Sequence, residues 1–571
     1  MGAFFLVEGG GGAEAALAKI LAEQEFTDPT VLAVGPRRLY LYPKRNAAAP
    51  SLHRVDDRNF CAATGTLLYR SKLGSAALAA LFADVTGAGI DPDELFGCFC
   101  LLVCVDGELR VYVDGLGIYP VWHDAGHGVL SSSFPAVAAA QPRLTVDPQC
   151  VYEYLFQGAT YGWRTVFDQV SVFDCRRGLA FGEAGVRPCD PLPAPRRAPV
   201  AGGFDDHVAR NVDNIRRYYR AIVAAFGDRV DTALSGGYDS RLTLALLREG
   251  GSAPNIHVYG RDTDADVRVA KAIAAGEGFD LKHEDKGGRP RVAPDAFADV
   301  VRRNFLNFNG CPVDGLLDNG TDLATRLTRC AGGELMLNGG GGEIYRNFFY
   351  LPDGNYQVRD LLWSFYSRFD PRVCTAAFDE GAYHAALGDK VRDVLGLDGT
   401  RMTRAQVEFL YVAFRCRFWM GLNNGVNNRF GSSLTPFIDP ATVPDANAVP
   451  LAFKNHGRLE AAMIAAVDRR LAGYPSDYGH DFLTPPPLKR RLKDLTTLLR
   501  PPRLRRHLYR LKTHTRAGWP YFLGDDYVGR VVDPAFPRMG RFMKVAAVAD
   551  PAQYNRLCTL EYLFQTLGAE T

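Results

Sequence analysis

The chain has 571 residues, enough for two or three domains with large cores. Its 47% hydrophobic and 23% charged residues are the proportions of a soluble globular protein, and a formal net charge of +2 argues against wholesale nucleic-acid binding. There is no run of about 20 uninterrupted apolar residues, and no basic segment leads into a long apolar run near Met1, so neither a membrane span nor a signal peptide is expected. Twelve cysteines without Cys-x-x-Cys spacing argue against zinc and for a reducing, cytoplasmic setting.

Residues 1–188 read as β-rich. The apolar runs 101–105 and 109–113 are joined by Asp106-Gly107, a hairpin signal. Cys98, Cys100 and Cys104 share one parity on the first of these strands, so they are expected as small buried apolar residues. A helix is expected over 75–86. An Asp114 turn leads into 115–122, and 129–133 precedes a helix of small residues. This succession resembles the glutaminase domain of class II glutamine amidotransferases, where a D-x-x-G-x-x-P-L segment and an SSE segment recur in this order. That glutaminase attacks with an N-terminal Cys whose own amine is the base. Here the sequence opens Met1-Gly2-Ala3-Phe4 and its first cysteine is Cys61. The resemblance therefore implies a glutaminase-like (Ntn-type) α+β fold with no glutaminase nucleophile. The proline-rich stretch 190–199 reads as the centre of an extended linker, 189–203. A helix follows over 204–226, with Val208, Val212, Ile215, Tyr219 and Ile222 at helical spacing.

The apolar stretch 230–234 runs into Ser235-Gly236-Gly237-Tyr238-Asp239-Ser240, and a helix is expected over 240–248. Strand, glycine turn and helix start in that order aim backbone N–H groups and a helix dipole at one spot. Gly236 and Gly237 permit close approach, and Ser235 and Ser240 add hydroxyls. Asp239 repels an anion there unless a divalent cation lies between them. The turn reads as a site for pyrophosphate with Mg²⁺. A Walker A loop needs Lys before its Ser/Thr, and Asp239 stands there instead. The hexapeptide resembles the SGGxDS signature of PP-loop ATP-pyrophosphatases, which cleave ATP between the α- and β-phosphates and adenylate a carboxyl or carbonyl oxygen. Strands over 255–260 and 280–284 alternate with helices over 264–276 and 294–304, which predicts a doubly wound parallel sheet with ligands at its carboxyl ends.

A second apolar strand, 335–337, ends in Asn338 and the four glycines 339–342, closed by Glu343. Four glycines are costly in backbone entropy, and close approach of a polyphosphate is one reason for them. Glu343 is then a second Mg²⁺ ligand opposite Asp239. Both motifs, their order and the glutaminase-like part before them resemble the asparagine synthetase/β-lactam synthetase superfamily, as far as Phe482. The resemblance implies ATP contacts at Leu234, Ser235, Gly236, Gly237, Asp239, Ser240, Val258, Gly339, Gly340 and Gly341, with backbone near Leu234 and Val258 against adenine. Asp266 resembles the acidic position after the family's second strand, and 435–439 its R-x-P-F-L-D segment. It also implies the reaction: the carboxylate of a small-molecule, glycan or peptide substrate is joined to AMP, and an amine displaces AMP to form an amide.

Three departures stand out. The family reads G-E-G-A-D-E or G-Y-G-S-D-I at the second turn; here Gly340 replaces the acid or tyrosine that handles the amine. The stretch 475–482, where the family carries a late Lys, has none. Arg241 and Lys454 are the first candidates for its charge, with Arg346 and Lys489 behind them. With no glutaminase nucleophile, the amine is free ammonia, an amine on a second substrate, or one within the same substrate. An internal amine closes a ring, as in β-lactam synthetases and lasso-peptide cyclases. A non-catalytic nucleotide-binding scaffold is the competing reading.

The synthetase-like part is expected over 204–484, followed by a basic helical extension, 485–571. There Lys489, Arg490, Arg491, Lys493 and Lys512 accompany Leu488, Leu492, Leu495 and Leu499 at helical spacing. Such a helix either packs its leucines on the synthetase core or meets an anionic membrane surface or polyanionic substrate. A short helix is expected over 551–567.

Overall fold

In the computed structural model, which describes residues 1–46, 51–195, 197, 202–508, 510 and 516–570, the N-terminal part is built from two antiparallel sheets. The strand Leu95–Val105 lies between Phe60–Tyr69 and Glu108–Val113 in the second of them. Asp106 (φ +52°) and Gly107 (φ +87°) supply the two left-handed residues its hairpin turn needs. Strand parity then sorts the side chains. Cys98, Cys100 and Cys104 turn inward to a core that also holds Phe4, Leu41 and Leu130 of the first sheet. Phe99, Leu101 and Val103 turn outward against the helix Gly74–Thr86. Burial pushes the Cys104 thiol up to about 11, as for an inert core residue. Helices Gly12–Glu23 and Phe134–Ala139 pack on the first sheet, so helix, sheet, sheet and helix form successive layers.

The later sheet has five strands, all parallel. Its spatial order is Leu281–Glu284, Asn255–Tyr259, Val230–Ala233, Leu335–Leu337, Ser432–Leu434. Numbered along the chain this is 3-2-1-4-5, so the winding reverses between Val230–Ala233 and Leu335–Leu337. Chains leave those two strands in opposite directions across the sheet, which opens a crevice at their carboxyl ends. Both glycine turns fall there. The helix Phe204–Phe226 forms as its spacing predicts, burying Val208, Val212, Ile215, Tyr219 and Ile222.

Within the expected linker, residues 196 and 198–201 lie outside the described residues, as does Lys512. Arg197 pairs with Asp93 at 2.5 Å and Asp445 at 3.5 Å. The described part of the stretch 485–571 returns to the N-terminal part. Its last helix, Pro551–Leu567, packs against Pro148–Gln157 and Phe134–Ala139, and Glu570 forms a bridge with Thr145. No helix of the described residues is long and apolar enough to cross a membrane.

One buried ion pair joins the early and late parts. Glu153, fully buried on Pro148–Gln157, accepts from Lys390 Nζ (2.8 Å), the Tyr161 N–H (2.9 Å) and Gln149 Nε2 (2.8 Å). Burial pulls the Lys390 ammonium down, but Glu153 outweighs it and raises it to about 12. Lys390→Met leaves a buried carboxylate unpaired, at a cost of about 3–5 kcal/mol. Denaturant unfolding is expected to show that loss, and Lys390→Met combined with Glu153→Gln to recover most of it.

Candidate functional site

The first turn is held together by its own side chains. Ser235 N–H donates to Ser240 Oγ (2.9 Å), the two hydroxyls lie 2.9 Å apart, and Gly237 N–H donates to Ser235 Oγ (3.3 Å). Gly236 N–H donates to Asp266 Oδ1 at 2.7 Å. A carboxylate oxygen thus sits on a donor of this helix-start cradle, where an anionic ligand's oxygen belongs. The stretch 475–478 lies on the other side: Asp477 N–H donates to Gly236 O at 3.2 Å, and a Cβ on Gly236 would come 2.8 Å from Asp477 Cβ. Glycine is therefore required by the protein's own packing. Leu234 and Val258 are buried in the core, and Leu234 N–H bonds His257 O, so the side chains at these two positions serve packing.

The stretch 475–482 lies against the first glycine turn, and Tyr238 stacks on Phe482 (4.1 Å) and Tyr478 (5.0 Å). Arg241 corrects an expectation. It does not serve the turn with charge. Its guanidinium donates to the carbonyls of Leu471, Tyr474 (2.8 Å) and Pro475 (2.9 Å) and lies over the Phe482 ring. Burial lowers it to about 10. It is a strut that clamps 471–482 over the turn. Lys454 is also fully buried, and its Nζ donates to Glu408 Oε2 at 2.9 Å. That carboxylate neutralises it, although the lysine borders the cavity described below.

The second turn explains its glycines by protein contacts too. Gly341 is left-handed (φ +95°), and a Cβ there would lie 2.6 Å from Ile438. A Cβ on Gly342 would lie 2.7 Å from Asp239 Cγ and 2.8 Å from Glu460 Oε1. The close approach is thus between the two turns, with Gly340 N–H held by Asn338 Oδ1. Where they meet, Arg346 stands among three carboxylates: Asp239 Oδ1 at 2.7 Å, Glu460 Oε2 at 3.2 Å and Glu343 Oε1 at 3.5 Å. The two acids expected to share a metal are brought together, with a guanidinium between them. Arg346, ranked behind Arg241 and Lys454 in sequence, is the cation at the junction. Among the described residues no three His, Cys, Asp or Glu side chains converge directly as a metal cage. Tyr411 OH donates to Glu343 Oε2 at 2.5 Å.

Glu460 was not foreseen. It is fully buried, with Arg346 Nε 3.2 Å from its Oε2 and the Asp239 carboxyl beside it. Burial, then Asp239, raises its carboxyl well above the ordinary 4.5; burial and Glu343 raise Asp239 against the pull of Arg346. A sequence signal existed: Glu460, Met463, Ile464 and Val467 share one face of the helix Arg458–Val467, a carboxylate on an apolar stripe.

Two cavities meet at Glu343 and Phe348. One, of about 350 Å³, is bordered by Tyr238, Arg346, Lys454, His456, Tyr478 and Arg490. The other, of about 550 Å³, is bordered by Asn338, Gly340, Gly341, Lys286, Arg326, Arg415 and Tyr411. Each therefore combines cations and aromatic rings with one side of the carboxylate cluster.

No family model matches the sequence, and no curated protein does. Among solved structures, glutamine phosphoribosylpyrophosphate amidotransferase from B. subtilis, complexed with ADP and GMP, is 13% identical; the match covers 49% of this chain and 90% of that one, with a TM-score of 0.23. A structure described as the allosteric regulatory enzyme of purine biosynthesis is 12% identical over 44% of this chain and 64% of that one, with a TM-score of 0.22. At such TM-scores neither likeness carries an argument about this chain.

The Glu460 carboxyl has a folded pKa above its unfolded value, so between the two it binds more protons folded than unfolded. It therefore favours the fold at low pH, and that contribution is lost as pH rises from the unfolded value through the raised one. Glu460→Gln is expected to raise the thermal midpoint at neutral pH and to flatten its decline with rising pH, read from melting curves across a pH series.

Proposed function

We propose that this chain is an ATP-dependent amide ligase that forms AMP and pyrophosphate, with a PP-loop-type synthetase part and no ammonia source of its own. The observation that supports it most is the meeting of Asp239, Glu343 and Glu460 around Arg346, at the point where the parallel sheet reverses its winding. Asp239 and Glu343 offer carboxylate oxygens, the donors Mg²⁺ takes, on facing turns with Arg346 between them. Asp239 and Glu343 would hold it, and it would screen the phosphates from the acids.

In this reading the turn 235–240 binds the pyrophosphate end of ATP, and Asp266 yields the Gly236 N–H to it. Arg346 supplies the fixed positive charge beside it, the part assigned elsewhere in the resembling family to a late lysine. A carboxylate oxygen of the substrate attacks the α-phosphorus, the α–β bond breaks, and pyrophosphate leaves. The amine then attacks the acyl carbon, the bond to AMP breaks, and the amine's proton passes to a base. Gly340 offers none and Glu343 is taken up by its metal role, so the proton passes to the departing phosphate oxygen or to water. The amine is ammonia, belongs to a second substrate, or lies within the first, as in a macrocyclising ligase.

A second reading, a non-catalytic nucleotide-binding scaffold, draws on one observation: Arg241 and Lys454 are both committed to other partners. Two measurements separate the readings. Mg²⁺ with α,β-methylene-ATP at about 100 times its Kd is expected to stabilise the protein by roughly 2.7 kcal/mol in a melting assay, and Asp239→Asn to abolish that gain. Given its carboxylate, the protein is expected to exchange labelled pyrophosphate into ATP, with Asp239→Asn at least about a hundredfold slower. Nucleotide binding without exchange over a broad carboxylate panel would leave the scaffold. An undiminished melting shift in Asp239→Asn would remove the site altogether.

A further inference from the structure

The leucines of the helix Leu488–Leu498 do not pack on the synthetase core. Leu488 is 71% exposed, Leu492 55%, Leu495 44% and Leu499, just past its end, 65%; Leu504 on the next helix, Pro502–Leu508, is 49% exposed. At 100° per residue the first four fall within one narrow stripe. Lys489 and Arg491 flank that stripe on either side. With Lys493 and Arg503 they are exposed and pair with no carboxylate among the described residues. Asp494 is the only acid between 488 and 508, and it faces inward, 2.9 Å from His456 Nδ1.

The opposite face of the same helix borders the smaller cavity. Arg490 lies over the Tyr478 ring at 3.9 Å, and Arg490, Asp494 and Leu498 all line the cavity. Leu495 and Tyr350 belong to both faces, since each is exposed and each lines the cavity. Arg505 fixes this arrangement by donating to the carbonyls of Phe349, Tyr350 and Thr497. The apolar face therefore runs up to the rim of the candidate active site.

We propose that this face docks on an anionic lipid surface, with the helix lying in the interface plane and the rim of the smaller cavity turned toward the lipid. The charge pattern selects that occupant. Leucines framed by unpaired lysines and arginines need a partner that is apolar within and uniformly negative at its surface. A second copy of the chain does not supply one, because a twofold contact sets this basic face against itself. A protein partner is disfavoured by the exposed lysines, which interface cores lack. Resting on the ligase reading above, a consequence follows for the substrate: its carboxylate is carried on an amphiphile that enters from the membrane side.

Flotation of the full chain with lipid vesicles tests docking without any catalysis. Binding to phosphatidylcholine vesicles containing phosphatidylglycerol is expected to exceed binding to pure phosphatidylcholine by at least about tenfold and to weaken with added salt. Leu492→Asp with Leu499→Asp, and separately Lys489→Glu with Arg491→Glu, are each expected to lower it by about tenfold or more. None of these four side chains lines either cavity, so the melting shift with Mg²⁺ and the ATP analogue is expected to persist in both variants. That readout keeps a failed docking proposal distinct from a failed nucleotide site. Absent vesicle binding, equal binding to neutral and anionic vesicles, or a concentration-dependent dimer that the leucine variants abolish would each overturn the proposal.

Discussion

The electrostatic constraint at Arg346 organises the later half of the molecule. A guanidinium and three carboxylates gathered at low exposure are unstable unless each is held in register with the others, since an unpaired charge in such a place is costly. The chain meets this by bringing two glycine turns into contact at the ends of adjacent parallel strands. Gly342 is needed because Asp239 and Glu460 occupy the space of its missing Cβ. Gly341 is needed to turn the backbone under Ile438.

Around this cluster the remaining parts act as supports. Arg241 ties 471–482 to the first turn through backbone carbonyls, so the position of the stretch is fixed by hydrogen bonds and by the ring of Phe482. Further out, Asp439 accepts from the Gly97 N–H at 3.0 Å and Lys44 donates to Asn428 Oδ1 and Gly431 O. These contacts join the antiparallel sheets to the parallel one, and the main hydrophobic core is continuous across both. The candidate site is thus carried on rigid strand ends and backed by a core built from distant parts of the sequence.

Much of this was legible from the residues alone. Periodicity located the helices Phe204–Phe226 and Pro551–Leu567, and parity placed Cys98, Cys100 and Cys104 on a buried face, because those signals depend only on local geometry. The two glycine turns declared themselves by composition. What composition could not declare was partnership. Arg241 sits directly after the first turn in sequence, yet one helical residue further on its side chain leaves the turn and finds the carbonyls of Tyr474 and Pro475. Glu460 is far from both turns in sequence and reaches them only through the packing of its helix. The glycines 339–342 invited a ligand, but their tightest neighbours are Ile438, Asp239 and Glu460. The leucines at 488–499 look the same in sequence whether they are covered or bare.

The return of Pro551–Leu567 to the helices Phe134–Ala139 and Pro148–Gln157 sets an order on the life of the nascent chain. The antiparallel sheets are complete in sequence by Cys189, but the surface those helices offer to Pro551–Leu567 stays open until that segment leaves the ribosome. At about 5–20 residues per second that interval is roughly 20–80 s. During it a partly built layer with an exposed apolar flank must persist, and chaperones have that long to engage it.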